Sequence, residues 1–390
     1  MNDGPIAGNF NYPSAYRIGR GRIAELADLC AANEIARPLI VTDPGIRSLP
    51  WFAPILESLS EAGLTPHVFS EIDPNPATHH VEAGIEAARA HGADGCILVG
   101  GGSAMDAGKC IALLVHNPGN VLEYEDIGDN WKQADAARIL PTIAVPTTAG
   151  TGSEVGRASV IVDPSDHNKK IIFHPGMQPN TVLADPELTT GLPPRLTAAT
   201  GMDALAHCFE AYCAPGYHPM ADGIALEGIR LIDENLLVAF EDGGHIEART
   251  HLLMAASMGA TAFQKGLGLI HALSHPIGGV TGLHHGTANA IFQPYVMVHN
   301  REAIEMRMPR LAGSLGLSGD PFTSVLDWTL ALRERLRLPA TLEGVVEESQ
   351  IPELVRMAQA DPSLATNPKP CTSEEIERVL RKTIAGDLTP

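Results

Sequence analysis

Several features are scarce in this 390-residue chain, and each scarcity removes a class of function. Basic residues are few: 27 Lys and Arg stand against 46 Asp and Glu, a formal charge of -19, with no basic cluster to offset it. A surface of that sign repels phosphate backbones and anionic lipid, so neither nucleic acid nor a membrane surface is an expected partner. No run approaches the roughly 18 apolar residues of a membrane span. The opening MNDGPIAGNFNY has no basic segment followed by an apolar one, so no secretory leader is expected and the expected compartment is the cytoplasm. Six cysteines, Cys30, Cys96, Cys110, Cys208, Cys213 and Cys371, form neither a C-x-x-C pair nor a regular framework, and read as reduced core thiols. Internal repeats and low-complexity tracts are missing too.

What is present suits a globular protein of two domains, or one large one, with 44% hydrophobic residues and Gly and Pro scattered throughout. Segments 37–43 (RPLIVTD), 65–72, 94–102, 138–148, 158–163 and 180–188 read as strands of one parallel sheet, with helical stretches at 51–63 and 81–92 between the first of them. After GLPPRL (191–196) the texture changes to Ala, Leu, Met and Glu in helical periodicity. The expected architecture is therefore an α/β nucleotide-binding domain with a parallel sheet over residues 1–190, followed by an all-α domain over 191–390.

Two loops in the first half suit a phosphate group. In ILVGGGSAMDAGK an apolar strand ends in Gly100, Gly101 and Gly102, and a helix opens at Ser103, so bare backbone amides and the positive helix end face the same place. It is not the G-x-G-x-x-G fingerprint. The second loop, PTTAGTGSEVG, offers the hydroxyls of Thr147, Thr148, Thr151 and Ser153 beside Gly150 and Gly152. Asp43 closes the strand IVTD, where a carboxylate accepts hydrogen bonds from a ribose diol and repels a 2'-phosphate, favouring NAD over NADP. Its plainer role is to cap the turn PGI.

The second half carries a metal constellation. Asp203 and His207 lie i,i+4 in TATGMDALAHCFEAY, with Thr200 read as the helix N-cap, so both reach one side of a helix. His271 and His275 share a second helical face that is expected to break at Pro276, and a return loop offers His284 and His285 before Gly286. Carboxylate with neutral imidazole suits Fe(II), Zn(II), Ni(II) or Mn(II), and having no cysteine in the set argues for an open catalytic ion over a closed structural zinc. Arg157 and Lys265 are candidate cations for an anionic group on a substrate; otherwise Arg157 pairs with Glu154 and Lys265 is solvated. Phe263 reads as a pocket wall or as core.

Taken in order, GGGSAMDAGK, PTTAGTGSEV, ADPELT, GMDALAHCFEAY, HALSHPIGG and HHGTANAI resemble the iron-dependent, or group III, alcohol dehydrogenases along nearly the whole chain. The resemblance implies the dehydroquinate synthase-like architecture, with the site in a cleft between the two domains. It implies metal ligands at Asp203, His207, His271 and His285, leaving His275 as a nearby non-ligand and His284 without a role. It places the pyrophosphate at Gly101, Gly102 and Ser103, Asp106 toward the nicotinamide, and Thr147, Thr148 and Lys170 against the cofactor. His275 is then the candidate proton relay, or else a residue that orients a ligand. The implied cofactors are NAD and Fe(II), with Zn(II) as the alternative ion. The implied activity is hydride transfer between nicotinamide and a small alcohol or aldehyde, by a homo-oligomer of dimer size or larger; Arg157 and Lys265, if they hold an anionic group, would make the substrate a semialdehyde or hydroxy acid. The competing reading is an NAD- and metal-dependent lyase of the dehydroquinate synthase type, which returns its NAD unchanged.

Overall fold

A computed structural model of the chain describes residues 15–165 and 168–389, so the opening segment read above for a leader lies outside the described residues. Contacts divide these residues into two compact units, one of 15–192 with 244–253 and one of 193–243 with 254–389.

The first unit is an α/β sandwich. Its strands are β1 (Ala15–Ile18), β2 (Pro38–Val41), β3 (His67–Phe69), β4 (Gly95–Gly100), β5 (Thr142–Pro146), β6 (Ala158–Val162), β7 (Lys169–Phe173) and β8 (Thr181–Ala184). Six of them form a parallel sheet in the order β1-β8-β5-β4-β2-β3. The helices around it are α1 (Leu26–Ala32), the short α2 (Pro44–Arg47), α3 (Phe52–Glu61), α4 (Thr78–His91) and α5 (Gly102–Leu114). Strands β2, β4, β5 and β8 are buried along their whole length, as a parallel sheet covered on both faces requires. Ile97 and Val99 point into one apolar cluster and Leu98 into the other, which is the period-two alternation of a strand. Burying each such side chain contributes about 1.5–3 kcal/mol.

The chain order turns back between β2 and β4, so the segments leaving their C-terminal ends diverge there. That is where open α/β sheets take their ligands. The sheet differs from the sequence reading at two places. The stretch 158–163 does not extend it: β6 pairs antiparallel with β7 in a separate ribbon, Ala158 opposite Phe173 and Val162 opposite Lys169. The sheet's sixth strand is instead β1, whose half-exposed edge pattern AYRI carries little apolar signal.

The second unit holds α6 (Pro194–Cys213), α7 (Pro219–Glu241), the C-terminal part of α8 (Ile246–Ala262), α9 (Leu269–Thr281), α10 (His285–Ile304), α11 (Met308–Ser314), α12 (Pro321–Arg335), α13 (Ile351–Ala360) and α14 (Ser373–Ala385). No strand occurs among its described residues. Helix α6 starts at Pro194, whose fixed φ suits a first turn, so Thr200 is interior and its hydroxyl donates to the Leu196 carbonyl instead of capping. Helix α9 runs through Pro276 without stopping. The ring removes one backbone hydrogen bond, a cost of about 3 kcal/mol that the near-complete burial of Leu269, Ile270, Leu273 and Ile277 offsets. Among the described residues no helix is long and apolar enough to cross a membrane.

Candidate metal and dinucleotide sites

Three helices of the second unit bring the metal candidates together. Helix α6 presents Asp203 and His207, α9 presents His271 and His275, and His285 opens α10. Asp203 Oδ1 lies 3.8 Å from His207 Nε2, 3.8 Å from His271 Nε2 and 3.4 Å from His285 Nε2. The donor atoms of Asp203, His207 and His271 all fall within 4.8 Å of one another, the spacing that a single ion bridges. Asp203, His207 and His271 are buried and His285 is half-buried. Gly286 explains how α10 comes so near: a Cβ there would collide with the Ala199 carbonyl of α6.

Residues that the sequence reading passed over hold this cluster in place. Glu210, two turns beyond Asp203 on α6, sets Oε2 2.6 Å from His271 Nδ1, while its Oε1 accepts from the Ile270 amide at 2.7 Å. The Asn367 side chain accepts from the Leu269 amide at 3.1 Å. Two side chains distant in sequence thus satisfy first-turn amides of α9, whose N-cap Gly268 has no side chain to do so. With Nδ1–H donated to Glu210, His271 keeps its Nε2 lone pair for an ion. Asn289, one turn along α10 from His285, donates to Asp203 at 2.7 Å. A glutamate seven residues past Asp203 and an asparagine four past His285 were the available signals, but a lone spacing of that kind is common on any helix.

The electrostatics match a cation site. Burial alone would raise the Asp203 carboxyl, but His207, His285 and His271 around it hold it well below the usual carboxylate range. Burial disfavours a charged His271, yet hydrogen bonds to Asp203 and Glu210 outweigh it and raise the imidazole to about 9. The donor set, one carboxylate and neutral-capable imidazoles with no thiolate, fits a divalent iron or zinc ion.

His275 stands beside the cluster, its ring stacked on His285 at 5.2 Å and 10°. Its Nδ1 lies 2.8 Å from Asp361 Oδ2, and Asp361 Oδ1 in turn accepts from the Ser363 amide at 2.8 Å. Phe263 packs its ring 5.1 Å from that of His207, so it stands against the cluster. Lys265 is neither solvated nor open to a substrate: it is buried, ion-paired with Asp222, and donates to the Tyr212 carbonyl at 3.1 Å. Cys208 packs in the core as expected, and burial pushes its thiol up to about 12. Cys371 is the partly exposed exception, 3.4 Å from His299 Nε2.

In the first unit, the dinucleotide candidates gather at the C-terminal ends of β2, β4 and β5. Asp43 caps α2, accepting from the Ile46 amide at 2.9 Å through Oδ1, while Oδ2 stays on the side of Gly100. A Cβ on Gly102 would lie 2.7 Å from Thr151 Cγ2, so a side chain there would force the threonine to move, and one on Gly101 would crowd the Thr148 hydroxyl at 3.0 Å. The hydroxyls of Thr42 and Thr147, just past β2 and β5, are buried with no hydrogen-bond partner. Ser103 donates its hydroxyl to the Pro74 carbonyl at 2.6 Å, so that hydroxyl is already engaged within the protein.

Asp106 is engaged inside the protein. It accepts from the Ser153 hydroxyl and from the Val160 amide, and Lys109 Nζ lies 3.3 Å from it. Lys109 is itself fully buried and donates to the Ser153 hydroxyl at 2.7 Å, so this trio clamps α5 to the threonine loop. No sequence spacing marks that clamp, since Asp106 and Lys109 lie 44 or more residues from Ser153. Lys170 on β7 lies 3.9 Å from Glu125. Arg157 sits over the Phe173 ring at 5.5 Å.

Residues 13–186 match the family described as iron-containing alcohol dehydrogenase, and residues 197–384 match the C-terminal part of the Fe-containing alcohol dehydrogenase family. The chain belongs to the iron-containing alcohol dehydrogenases. The 4-hydroxybutyrate dehydrogenase of Cupriavidus necator is 39% identical to it over 387 residues, covering 96% of this chain and 99% of that protein. A solved 1,3-propanediol oxidoreductase superposes with a TM-score of 0.91 at 32% identity, over 96% of this chain and all of that one. The sulfoacetaldehyde reductase of Bifidobacterium kashiwanohense, solved in complex with NAD+, superposes with a TM-score of 0.89 at 28% identity, over 98% of this chain and 100% of that one. As an iron-containing alcohol dehydrogenase, the protein is a metal-dependent oxidoreductase that moves hydride between nicotinamide and an alcohol or aldehyde. Matches to dehydrogenase families over both halves leave the lyase reading without support.

Proposed function

We propose that this enzyme interconverts a small ω-hydroxy acid and its semialdehyde, with NAD as hydride carrier and Fe(II), or alternatively Zn(II), held by Asp203, His207, His271 and His285. The observation that carries this reading is one carboxylate oxygen with three imidazole Nε2 atoms at 3.4–3.8 Å, drawn from three helices. When bound, such an ion supplies Lewis acidity to a hydroxyl or carbonyl oxygen, and the nicotinamide takes or gives the hydride.

The chain's own residues do the rest. Glu210 holds His271 in the tautomer whose Nε2 is a donor to metal. Asp361 holds His275 Nδ1, so that His275 Nε2 is the atom that accepts the hydroxyl proton and releases it. Phe263 shields the His207 side of the site from water. Asp43 Oδ2 favours a ribose diol over a 2'-phosphate, which supports NAD over NADP.

The substrate class draws support from the 39% identical 4-hydroxybutyrate dehydrogenase. With Lys265 committed to Asp222, Arg157 is the remaining candidate to hold the substrate carboxylate. Protein loaded anaerobically with Fe(II) or Zn(II) is expected to form NADH with a higher kcat/KM from ω-hydroxy acids than from neutral alcohols of equal length. Arg157→Ala should erode that preference by about tenfold, the value of one charge-assisted contact, with little change for the neutral alcohols. Equal losses on both substrate types would refute the anionic-substrate reading.

A further inference from the structure

Asn367 lies in the segment that joins α13 to α14, just past the short turn of helix Pro362–Thr366, and is buried against both α9 and α10. Its Oδ1 accepts from the Leu269 amide at 3.1 Å and from Asn300 Nδ2 at 3.0 Å. Its Nδ2 donates to Asn300 Oδ1 at 3.0 Å and to the Lys369 carbonyl at 2.6 Å, with Cys371 Sγ at 3.4 Å. A backbone amide can only donate and a backbone carbonyl can only accept, so Leu269 and Lys369 fix which way this carboxamide faces. Both acceptor sites and both donor hydrogens of the group are used.

This does more than cap a helix. Leu269 opens α9, two residues before His271, whereas Asn300 stands on α10, about four turns beyond His285. One side-chain oxygen thus ties together the two helices that carry His271 and His285. Residues near Asn367 grip α9 as well: Thr366 donates to the Leu267 carbonyl at 2.8 Å, and Asp361 Oδ2 lies 2.8 Å from His275 Nδ1. Gly268 leaves the room for this, since a Cβ there would lie 2.8 Å from Asn367 Oδ1. Helix α9 needs such outside support, because its N-cap has no side chain and Pro276 removes one of its internal hydrogen bonds. From this we infer that Asn367 is a positioning residue, a clasp between α9 and α10 that sets where His271 stands relative to His285. It touches neither ion nor substrate and acts through the two helices, whose imidazoles must be held within about 0.5 Å of their working places to share one ion. The inference rests on the metal site proposed above.

Co(II) binding to metal-free protein tests this without any activity readout: chelator competition gives the Kd, and the visible band reports the ligand geometry. Wild type is expected to take up one equivalent. Asn367→Leu, which keeps the side chain's bulk, should bind about tenfold or more weakly and with an altered band. Asn300→Ala separates a clasp from a cap, because it leaves the Asn367 bond to Leu269 in place, and it serves if the leucine variant does not fold. A clasp predicts weaker binding in Asn300→Ala too, and a double variant no weaker than Asn367→Leu alone. Leu311→Ala, which opens a cavity under α11, controls for general loss of stability and should keep the wild-type Kd. Wild-type Kd in Asn367→Leu or in Asn300→Ala, or an equal loss in Leu311→Ala, would overturn the inference while leaving the metal site standing. Failure of wild type to bind Co(II) would overturn both.

Discussion

At the scale of single residues, the pair His275 and Asp361 shows how a side chain beside the proposed metal ligands is held in place. Burial opposes charge on Asp361, yet the nearby His275, its hydrogen bond and the Ser363 amide hold the carboxyl below its ordinary value. A depressed folded value means that the ionised form stabilises the fold above the unfolded carboxylate range, near about 4, and that this stability is lost as pH falls through the lower folded value. Asp361→Asn imitates the protonated state. Metal-free variant and wild type should therefore differ in urea unfolding free energy at pH 7, with wild type the more stable, and converge in acid below that range. A gap that stayed constant with pH would show that the charge contributes nothing. Residue by residue, the i,i+4 spacings of Asp203 with His207 and of His271 with His275 were legible because helical periodicity decides them. The choice between His284 and His285 was not, nor were Glu210, Asn289 and Lys109, because their partners come from other segments and no spacing encodes them.

Among elements, the close approach of α10 to α6 decides whether His285 reaches Asp203. It depends on Gly286, where any Cβ meets the Ala199 carbonyl, a backbone atom that cannot swing aside. Gly286→Ala is expected to cost about 1–3 kcal/mol by overpacking and to move His285 out of range, so the purified variant should hold much less metal while keeping its helical circular dichroism. A variant with full metal content and wild-type stability would show that the contact relaxes without consequence. The same scale explains the misread ribbon. The pattern ASVIVD specifies a strand but not its neighbour: β6 pairs antiparallel with β7, the next strand in the chain, instead of joining the parallel sheet, and the Asp106 bond to Val160 ties the ribbon to α5.

For the whole molecule, the ligands of the proposed ion come from residues 203 to 285 and are brought together only in the folded helical unit, so metal affinity is folding energy for that unit. Saturation at 100 times Kd should stabilise it by about 2.7 kcal/mol, raising its Tm, and chelation should reverse the rise. Thermal scans with and without chelator check this, and Asp203→Asn should abolish the difference. The two-part architecture, the glycine and threonine loops, and the residue types of the proposed metal site were legible in the sequence by itself, because strand alternation, helical periodicity and side-chain donor chemistry are local properties. Which strands are neighbours, which cation is neutralised by Asp222, and which amide and carboxylate orient the imidazoles were decided only by the tertiary structure. Those outcomes depend on packing between segments tens of residues apart, and nothing in the local pattern carries that distance.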